Sequence, residues 1–514
     1  MLLIPSGFRA HGTASLLRLK PSPLYNLLVL SRKSVTRNRR KPRSVFEDSR
    51  RNPPTLSLCC EIMRPNILKS SAHLGMLALC AIVVVALSQS ATANVLCVNP
   101  GGSHGCFSKI QMAVNAAGAN DIINVEAGTY KEEVTIGIPV SLIGVGANSS
   151  VINATGLAHG IFVDGFDNHG LHDVIVAGFT VRDALFEGIL VVSASDVIIR
   201  DSNVLENDKS GGLEFTGANT GCPDQPGSGT YETDETGDCG GAIHLVGTVN
   251  STLSGNLIRG NADGVLLSDE TGESRGNLLT HNVVTDNPLE CGIVLASHPP
   301  SGAVTPPFAR HHGVDNNVVS ENISSHNGVQ IGGSGVGMFS DGAGPGRVSG
   351  NVIINNQLTN NGLGGVALHS HVGPAFGLPA DTFSGNKIIG NIISGNKADK
   401  DDTATPGSVG ININSGSGGT PVVGTVIERN VIRDEDVDIA INTPAGVDIH
   451  LNDLLGGKTG VADVCAFDGA SICTGNIDAT ENFWGCHAGP SGPNCSKASG
   501  SDIRWAPWLD QAIQ

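Results

Sequence analysis

Aromatic side chains are scarce in this chain. Phe, Tyr and Trp make up 4% of 514 residues, with three Trp and three Tyr. Aromatic rings dominate many cores because each buries a large area, so a core built here must be mainly aliphatic. Basic residues are scarce as well, outside the first 93 positions. That segment holds 14 of the 31 Lys and Arg but only 3 of the 48 Asp and Glu, which leaves residues 94–514 with 17 basic and 45 acidic groups, a net charge of −28. A surface of that sign repels nucleic acid and anionic membranes. It also repels polyanionic polysaccharide unless metal ions intervene. The uncharged apolar run Leu74–Leu87 has 14 residues, short of the ~20 that a membrane-spanning helix needs. Amphipathic helical patterns do not separate the apolar segments, which argues against a doubly wound α/β sheet. Tight hairpin turns do not join them either, which argues against a sandwich.

The N-terminal order is Met63-Arg64-Pro65, Lys69, the apolar run, then Ala91-Thr92-Ala93. A basic flank, a short apolar core and a small-x-small end make a signal peptide cleaved near Ala93. On this reading residues 1–62 are a mis-called or disordered basic extension, 63–93 the signal peptide and 94–514 one exported domain, secreted or periplasmic. The rival is a membrane-anchored protein with a basic cytoplasmic tail. Eight of the nine cysteines beyond residue 93 form close sequence neighbours, which predicts Cys97–Cys106, Cys222–Cys239, Cys465–Cys473 and Cys486–Cys495 in an oxidising compartment. Cys291 is left over and reads as a small buried apolar residue.

Gly is abundant, at 68 residues, and the apolar residues recur in register. A short strand of the form Gly-apolar-x-apolar repeats ten times, beginning at residues 160, 188, 212, 242, 264, 292, 335, 365, 410 and 438, with Ala242 and Asp438 in place of Gly in two copies. Period-two alternation puts its apolar positions on one inward face. A second strand reads apolar-x-x-Asn, as in Leu253 to Asn256 and Leu279 to Asn282, and a further Asn follows five residues later, as at Asn261, Asn287, Asn327 and Asn396. Asn tolerates left-handed backbone, and its amide can bond to the Asn one rung away, so these residues stack at turns and are given no catalytic role. The five Asn-x-Ser/Thr sequons, at Asn148, Asn153, Asn250, Asn322 and Asn494, are read in the same way. Most copies lie 22–30 residues apart, one coil each. The expected fold is an all-β, single-stranded, right-handed parallel β-helix of about 10–12 rungs, one solenoid rather than several domains. Its N-terminal cap spans 97–140, with a helix from Ile110 opened by a capping box at Ser108-Lys109-Ile110-Gln111. Its C-terminal cap spans 465–514 and holds Trp484, Trp505 and Trp508 as a lid.

Asp121-Ile122-Ile123-Asn124-Val125, Ala127-Gly128-Thr129-Tyr130 and Leu142-Ile143-Gly144 resemble the opening of pectin-esterase-like and pectate-lyase-like β-helices. Asn482-Phe483-Trp484-Gly485 and Trp505-Ala506-Pro507-Trp508-Leu509 resemble the end of exported bacterial β-helix proteins, and the middle is similar to pectate-lyase-like and NosD-like repeats. The resemblance covers about 95–510 and implies the fold. It does not single out a chemistry, because that superfamily holds lyases, hydrolases, epimerases, esterases and non-enzymes. The signature sets of polygalacturonases and mannuronan epimerases are missing. A lyase of this kind implies calcium with an Arg or Lys base, for which Arg310 and Arg347 are the only nearby residues.

Counting from the strand Gly as zero, positions two and four point outward. In the middle rungs they read Leu266, Val294, Gly337, Ala367 and Ser268, Ala296, Phe339, His369, a smooth, nearly uncharged strip. Position six reads Glu270, His298, Asp341 and His371, a column of alternating carboxylate and imidazole. Long intervals after Gly292 and Gly365 supply loops on both sides, and loops on a rigid scaffold concentrate function. The column can provide general acid and base or hold a divalent metal, calcium or a transition ion, with Asp269, His311 and His312 close in sequence. It can equally be an ordinary ladder of opposite charges. Glu214, His244, Phe339 and His369 are the expected ligand contacts, and His159, His169 and His172 are expected to face solvent. The sequence therefore predicts a monomeric exported protein that binds a polysaccharide in a loop-walled groove and cleaves or modifies it, as a lyase or glycoside hydrolase would. The alternatives are a non-catalytic surface or adhesion protein and, last, a NosD-like metal-handling role, for which the five Met are few.

Overall fold

The computed structural model describes residues 93–209, 241–297, 311–340, 345–370, 381–400, 405–415, 420–464 and 475–513. Alternating short strands stack in parallel into three long sheets. Sheet 1 has 14 strands, from Val95–Val98 to Ile503–Arg504. Sheet 2 has 11, from Gly128–Tyr130 to Asp453–Leu454, and sheet 3 has 12, from Val134–Ile136 to Lys497–Ser499. Every pairing within them joins equivalent strands of neighbouring coils, which makes a parallel β-helix. Inward positions are aliphatic throughout: from Ile161 through Ile189, Ile243, Val265 and Ile293 to Val461, the first inward row of sheet 3 is at most 2% exposed. Each such side chain contributes about 1.5–3 kcal/mol by leaving water, and the row repeats at every coil.

The corners follow one device. The ladder Asn is not itself the left-handed residue; the residue before it is, as at His281 (φ 56°), Glu321 (φ 57°), Asn355 (φ 57°) and Gly390 (φ 66°). The Asn then turns inward and bonds along the solenoid. Asn356 Nδ2 donates back to the Val319 carbonyl at 2.9 Å and on to Asn391 Oδ1 at 3.0 Å, while its own Oδ1 accepts the backbone N–H and Nδ2 of Asn322. One ladder runs from Asn256 to Asn482 and a second from Asn207 to Asn396. A third, Asn277–Asn317–Asn351–Asn386, was not anticipated. It marks the corner of a fourth sheet of five short strands, from Ser274–Arg275 to Val422–Val423, present only in the middle coils. Buried amides bonded on all sides meet the requirement that buried polar groups be paired.

Three expectations are corrected. The strand Ile189–Val192 pairs directly with Ile243–Val246, which leaves no place in sheet 3 for a rung between them; the expected copy at Gly212–Phe215 lies outside the described residues. A local match to the repeat pattern does not carry the long-range contacts that decide register. The helix, Ile110–Ala116, buries Ile110, Ala113 and Val114, but Ser108 does not cap it. The carboxylate of Glu132 does so instead, accepting the N–H groups of Ile110 and Gln111 at 2.9 and 3.0 Å; a charge one coil away satisfies the helix end. His159 is 1% exposed, not solvated, while His169 and His172 are exposed as expected.

At the far end Trp484 is fully buried, and Trp505 and Trp508 pack against the core with ring centroids 5.6 Å apart. The disulfides Cys97–Cys106 and Cys486–Cys495 are formed, and Cys291 is buried, its Sγ accepting the Ser334 N–H. Cys222–Cys239, Cys465–Cys473 and the assignments for 1–62 and the signal peptide lie outside the described residues, Ala93 apart. Among the described residues, no helix is long and apolar enough to cross a membrane.

Candidate functional site

Sheet 3 carries the site-like side chains on its outward face. Its register runs as expected: Val294 faces Gly337 and then Ala367, and Ala296 faces Phe339 and then His369. The expected open strip is nevertheless buried along most of its length. Leu266, Ala296, Ala367 and His369 are between 0 and 4% exposed. Toward the N-terminal end Phe162, Leu190, Val192 and Val246 form a second apolar cluster outside the solenoid, and toward the C-terminal end Val409, Val437, Ala440, Ala462 and Val464 form a third. Outward alternation predicts which face a side chain takes; it does not predict what later packs over it. Between Leu266 and Ala367 only Val294 and Phe339 in the two outward rows keep partial exposure. Gly337 makes room for the Phe339 ring, since a Cβ there would lie 2.3 Å from it.

Polar groups sit between these apolar ends. His369 Nε2 lies 3.0 Å from Asp399 Oδ2, and Asn412 Nδ2 donates to the same oxygen at 3.1 Å. The Phe339 ring meets His369 edge-on at 5.6 Å. Toward the N-terminus, Glu187 lies between two imidazoles, 2.7 Å from His159 Nδ1 and 3.8 Å from His244 Nδ1. His244 Nε2 bonds to Ser268 Oγ at 2.8 Å. Burial alone would raise the Glu187 carboxyl, but charge and hydrogen bonding from His159, then His244, outweigh it and hold the group at about 2. Each pairing sets an imidazole beside a carboxylate, an arrangement that orients the ring and can store or move a proton.

Of the expected column, Glu270 is fully buried, while His298, Asp341 and His371 lie outside the described residues, as does Glu214. The register holds through Ser297, Ser340 and Ser370, the residues just before those three. These serines point inward and anchor the fourth sheet. Ser297 Oγ donates to Asp269 at 2.6 Å and accepts the Arg347 N–H, and Ser340 Oγ donates to Asp381 at 3.0 Å. His312 Nδ1 reaches the Asp269 carbonyl at 2.6 Å, and His311 is exposed. Arg347 is tied to Asp315 at 2.6 Å and Glu273 at 2.7 Å. Its bond to Asp315 raises its pKa despite partial burial, so it is a poor base. Arg310 lies outside the described residues.

Glu187 and Asp399 were missed by the sequence reading. Glu187 had a signal: His159 and Glu187 occupy the position before the strand Gly in successive coils. Asp399 had none, because it lies in an irregular segment with no register. A separate group, Asp448, His450 and Asp478, has ligand atoms within 4.8 Å of one another on sheet 1. Asp478 there is already bonded by Arg504 and Thr480, which together outweigh burial and lower its pKa. That neutralised carboxylate makes a weak cation ligand.

Comparison with known proteins agrees with this architecture. A family model described as a right handed beta helix region matches residues 159–305, and the fold of the described chain is a right-handed parallel β-helix. Among solved structures, the catalytic domain of a GH87 α-1,3-glucanase bound to tetrasaccharides aligns with a TM-score of 0.51 at 11% identity, over 81% of this chain and 68% of that one. An alginate lyase from Paenibacillus sp. aligns at 14% identity and TM-score 0.40, over 62% and 91%. The A-module of a mannuronan C-5 epimerase from Azotobacter vinelandii aligns at 13% and 0.42, over 79% and 94%. At such identities the likeness is one of fold. No curated protein matches the sequence.

Proposed function

We propose that this is an exported protein that binds a polysaccharide along the outward face of sheet 3 and cleaves or modifies it there by acid–base chemistry. The observation that carries the reading is the setting of Phe339: a partly exposed ring laid on the sheet, in contact with an imidazole that is paired to a carboxylate. Sugar-binding clefts need an apolar floor with a few placed polar groups. On this reading Phe339 and Val294 make the floor. Glu270, His298, Asp341 and His371 supply the acid and base, and His369 is oriented by Asp399. His244 and Glu214 extend the face toward the N-terminus. Positioned proton transfer contributes roughly 10²–10⁴-fold to rate. The two disulfides among the described residues and the leader-like N-terminal sequence support export.

A second reading, binding without turnover, is favoured by the complete burial of His369, Asp399 and Glu187. The test is a screen of polysaccharides for newly formed reducing ends and for unsaturated products, with His298→Ala, His371→Ala and Asp399→Asn beside the wild type. Turnover that falls about 100-fold or more in the His variants is the expected result. Turnover untouched by all three removes the site, and binding with no product on any glycan moves the protein to the second reading.

A further inference from the structure

We infer that the polysaccharide this face takes is uncharged and is not a polymer of uronic acids. The inference rests on the polysaccharide reading above and concerns the charge of the sugar. A polyuronate brings a carboxylate with each sugar unit, and a protein binds such a ligand with Arg or Lys, Arg in bidentate fashion, or through a bridging cation. Neither outward row of sheet 3 contains a Lys or Arg, from Phe162 to Ala462 in one and from Asp164 to Asn442 in the other. The two side chains with partial exposure in the middle coils, Val294 and Phe339, are both apolar.

The cations nearby in sequence are outnumbered. Arg347 is held by two carboxylates, Asp315 and Glu273. Lys397 and Lys400 are exposed on the segment leading into the strand Val409–Asn414, with Asp399 between them and Asp401 and Asp402 after them in sequence. Composition extends the case to the intervening segments 210–240, 298–310, 341–344, 371–380, 401–404 and 416–419. Together they contain Arg310 as their only basic residue, no Lys, and nine Asp or Glu. Their summed charge is negative, with six of the nine carboxylates in 210–240. Like charges on protein and ligand oppose encounter and cost affinity. An uncharged sugar meets no such penalty, and the apolar face of its ring suits a floor of Phe339 beside Val294.

Affinity electrophoresis of the full chain tests this. Native gels are cast with neutral polysaccharides (xylan, mannan, dextran and an α-1,3-linked glucan) or with polygalacturonate and alginate, each with EDTA or with calcium. Retardation on at least one neutral polymer and on neither polyuronate is expected. Phe339→Ala and Gly337→Ala should each weaken it about tenfold, the first by removing the ring and the second by displacing it. Phe339→Leu, which keeps an apolar side chain, serves as the control for folding and should fall between. Retardation on a polyuronate, with calcium or without, overturns the inference and leaves the polysaccharide reading standing. Neutral binding that survives in both Phe339→Ala and Gly337→Ala also overturns it, because the uncharged floor is then not the contact. Failure on every polymer overturns both.

Discussion

Glu187 shows how much one residue's chemistry depends on its neighbours in the next coil. Its carboxylate is fully buried, yet it stays ionised because His159 and His244 flank it. Its folded pKa of about 2 lies below the ordinary value of 4.5. A depressed carboxyl contributes stability that is present above pH 4.5 and is lost as pH falls toward 2, on the order of 3 kcal/mol if the whole shift is expressed. Unfolding midpoints measured in steps across that window should fall for the wild type and fall less for Glu187→Gln. Parallel pH profiles for the two proteins would show that the pair does not hold the charge. The residue scale also has a carboxyl shifted the opposite way. Asp438 replaces the strand Gly of its coil, and burial raises its pKa well above the usual value. Hydrogen bonds from the Gly456 N–H and with Ser496 offset only part of that.

Among the elements, the corner does the most to define the coil. One left-handed residue followed by an inward Asn turns the chain, and the Asn joins that turn to the corners before and after it. Replacing Asn356 by Ala leaves the Asn322 N–H and the Val319 carbonyl without their partner in a buried site. Each unpaired buried group costs about 1–3 kcal/mol, so Asn356→Ala should destabilise by about 3 kcal/mol. Hydrogen exchange should show the loss first at the amides of the adjoining corners, around Asn322 and Asn391. Unchanged protection at those amides would mean that the ladder adds little to the sheet hydrogen bonds. The second ladder ends on a carboxylate: Asn396 donates both its backbone N–H and its Nδ2 to Glu435 Oε1. Burial, only partly offset by those bonds, raises the Glu435 pKa.

Along the described coils, the sheet pairings join each coil to its immediate neighbours, with a few side-chain bonds such as Arg347–Glu273 reaching one coil further, so stability is close to a sum of coil and interface contributions and the ends decide where fraying starts. Trp484 fills the C-terminal end of the core and presses on Gly460, where a Cβ would lie 2.9 Å from its ring. Trp484→Ala should cost about 3–5 kcal/mol. Exchange should open the coils around Thr459–Asp463 while the coils near Ile161 and Ile189 keep their protection. Loss spread evenly along the solenoid would instead indicate one cooperative unit. A long array need not unfold in two states, so the local readout carries this test better than a single midpoint.

Much of this was legible in the sequence. Period-two alternation fixes which side chains turn inward, and the recurrence of Asn at matching offsets reveals corners, because both are local and repeat at every coil. Position two of each strand could therefore be assigned to the outward face from the chain alone. Register between coils far apart in sequence was not legible at the insertion: Gly212–Phe215 matches the repeat, yet Ile189–Val192 pairs past it with Ile243–Val246. The same holds for the site. The sequence placed His244, Phe339 and His369 on one face, since strand alternation requires it. Tertiary structure alone decided that His244 and His369 are buried and that Glu187 and Asp399 are their carboxylates. Both lie outside the strands: Glu187 precedes the strand Gly, where the matching place of His159 was its one signal, and Asp399 lies in an irregular segment whose position depends on the coils it packs against and not on any period in its own sequence.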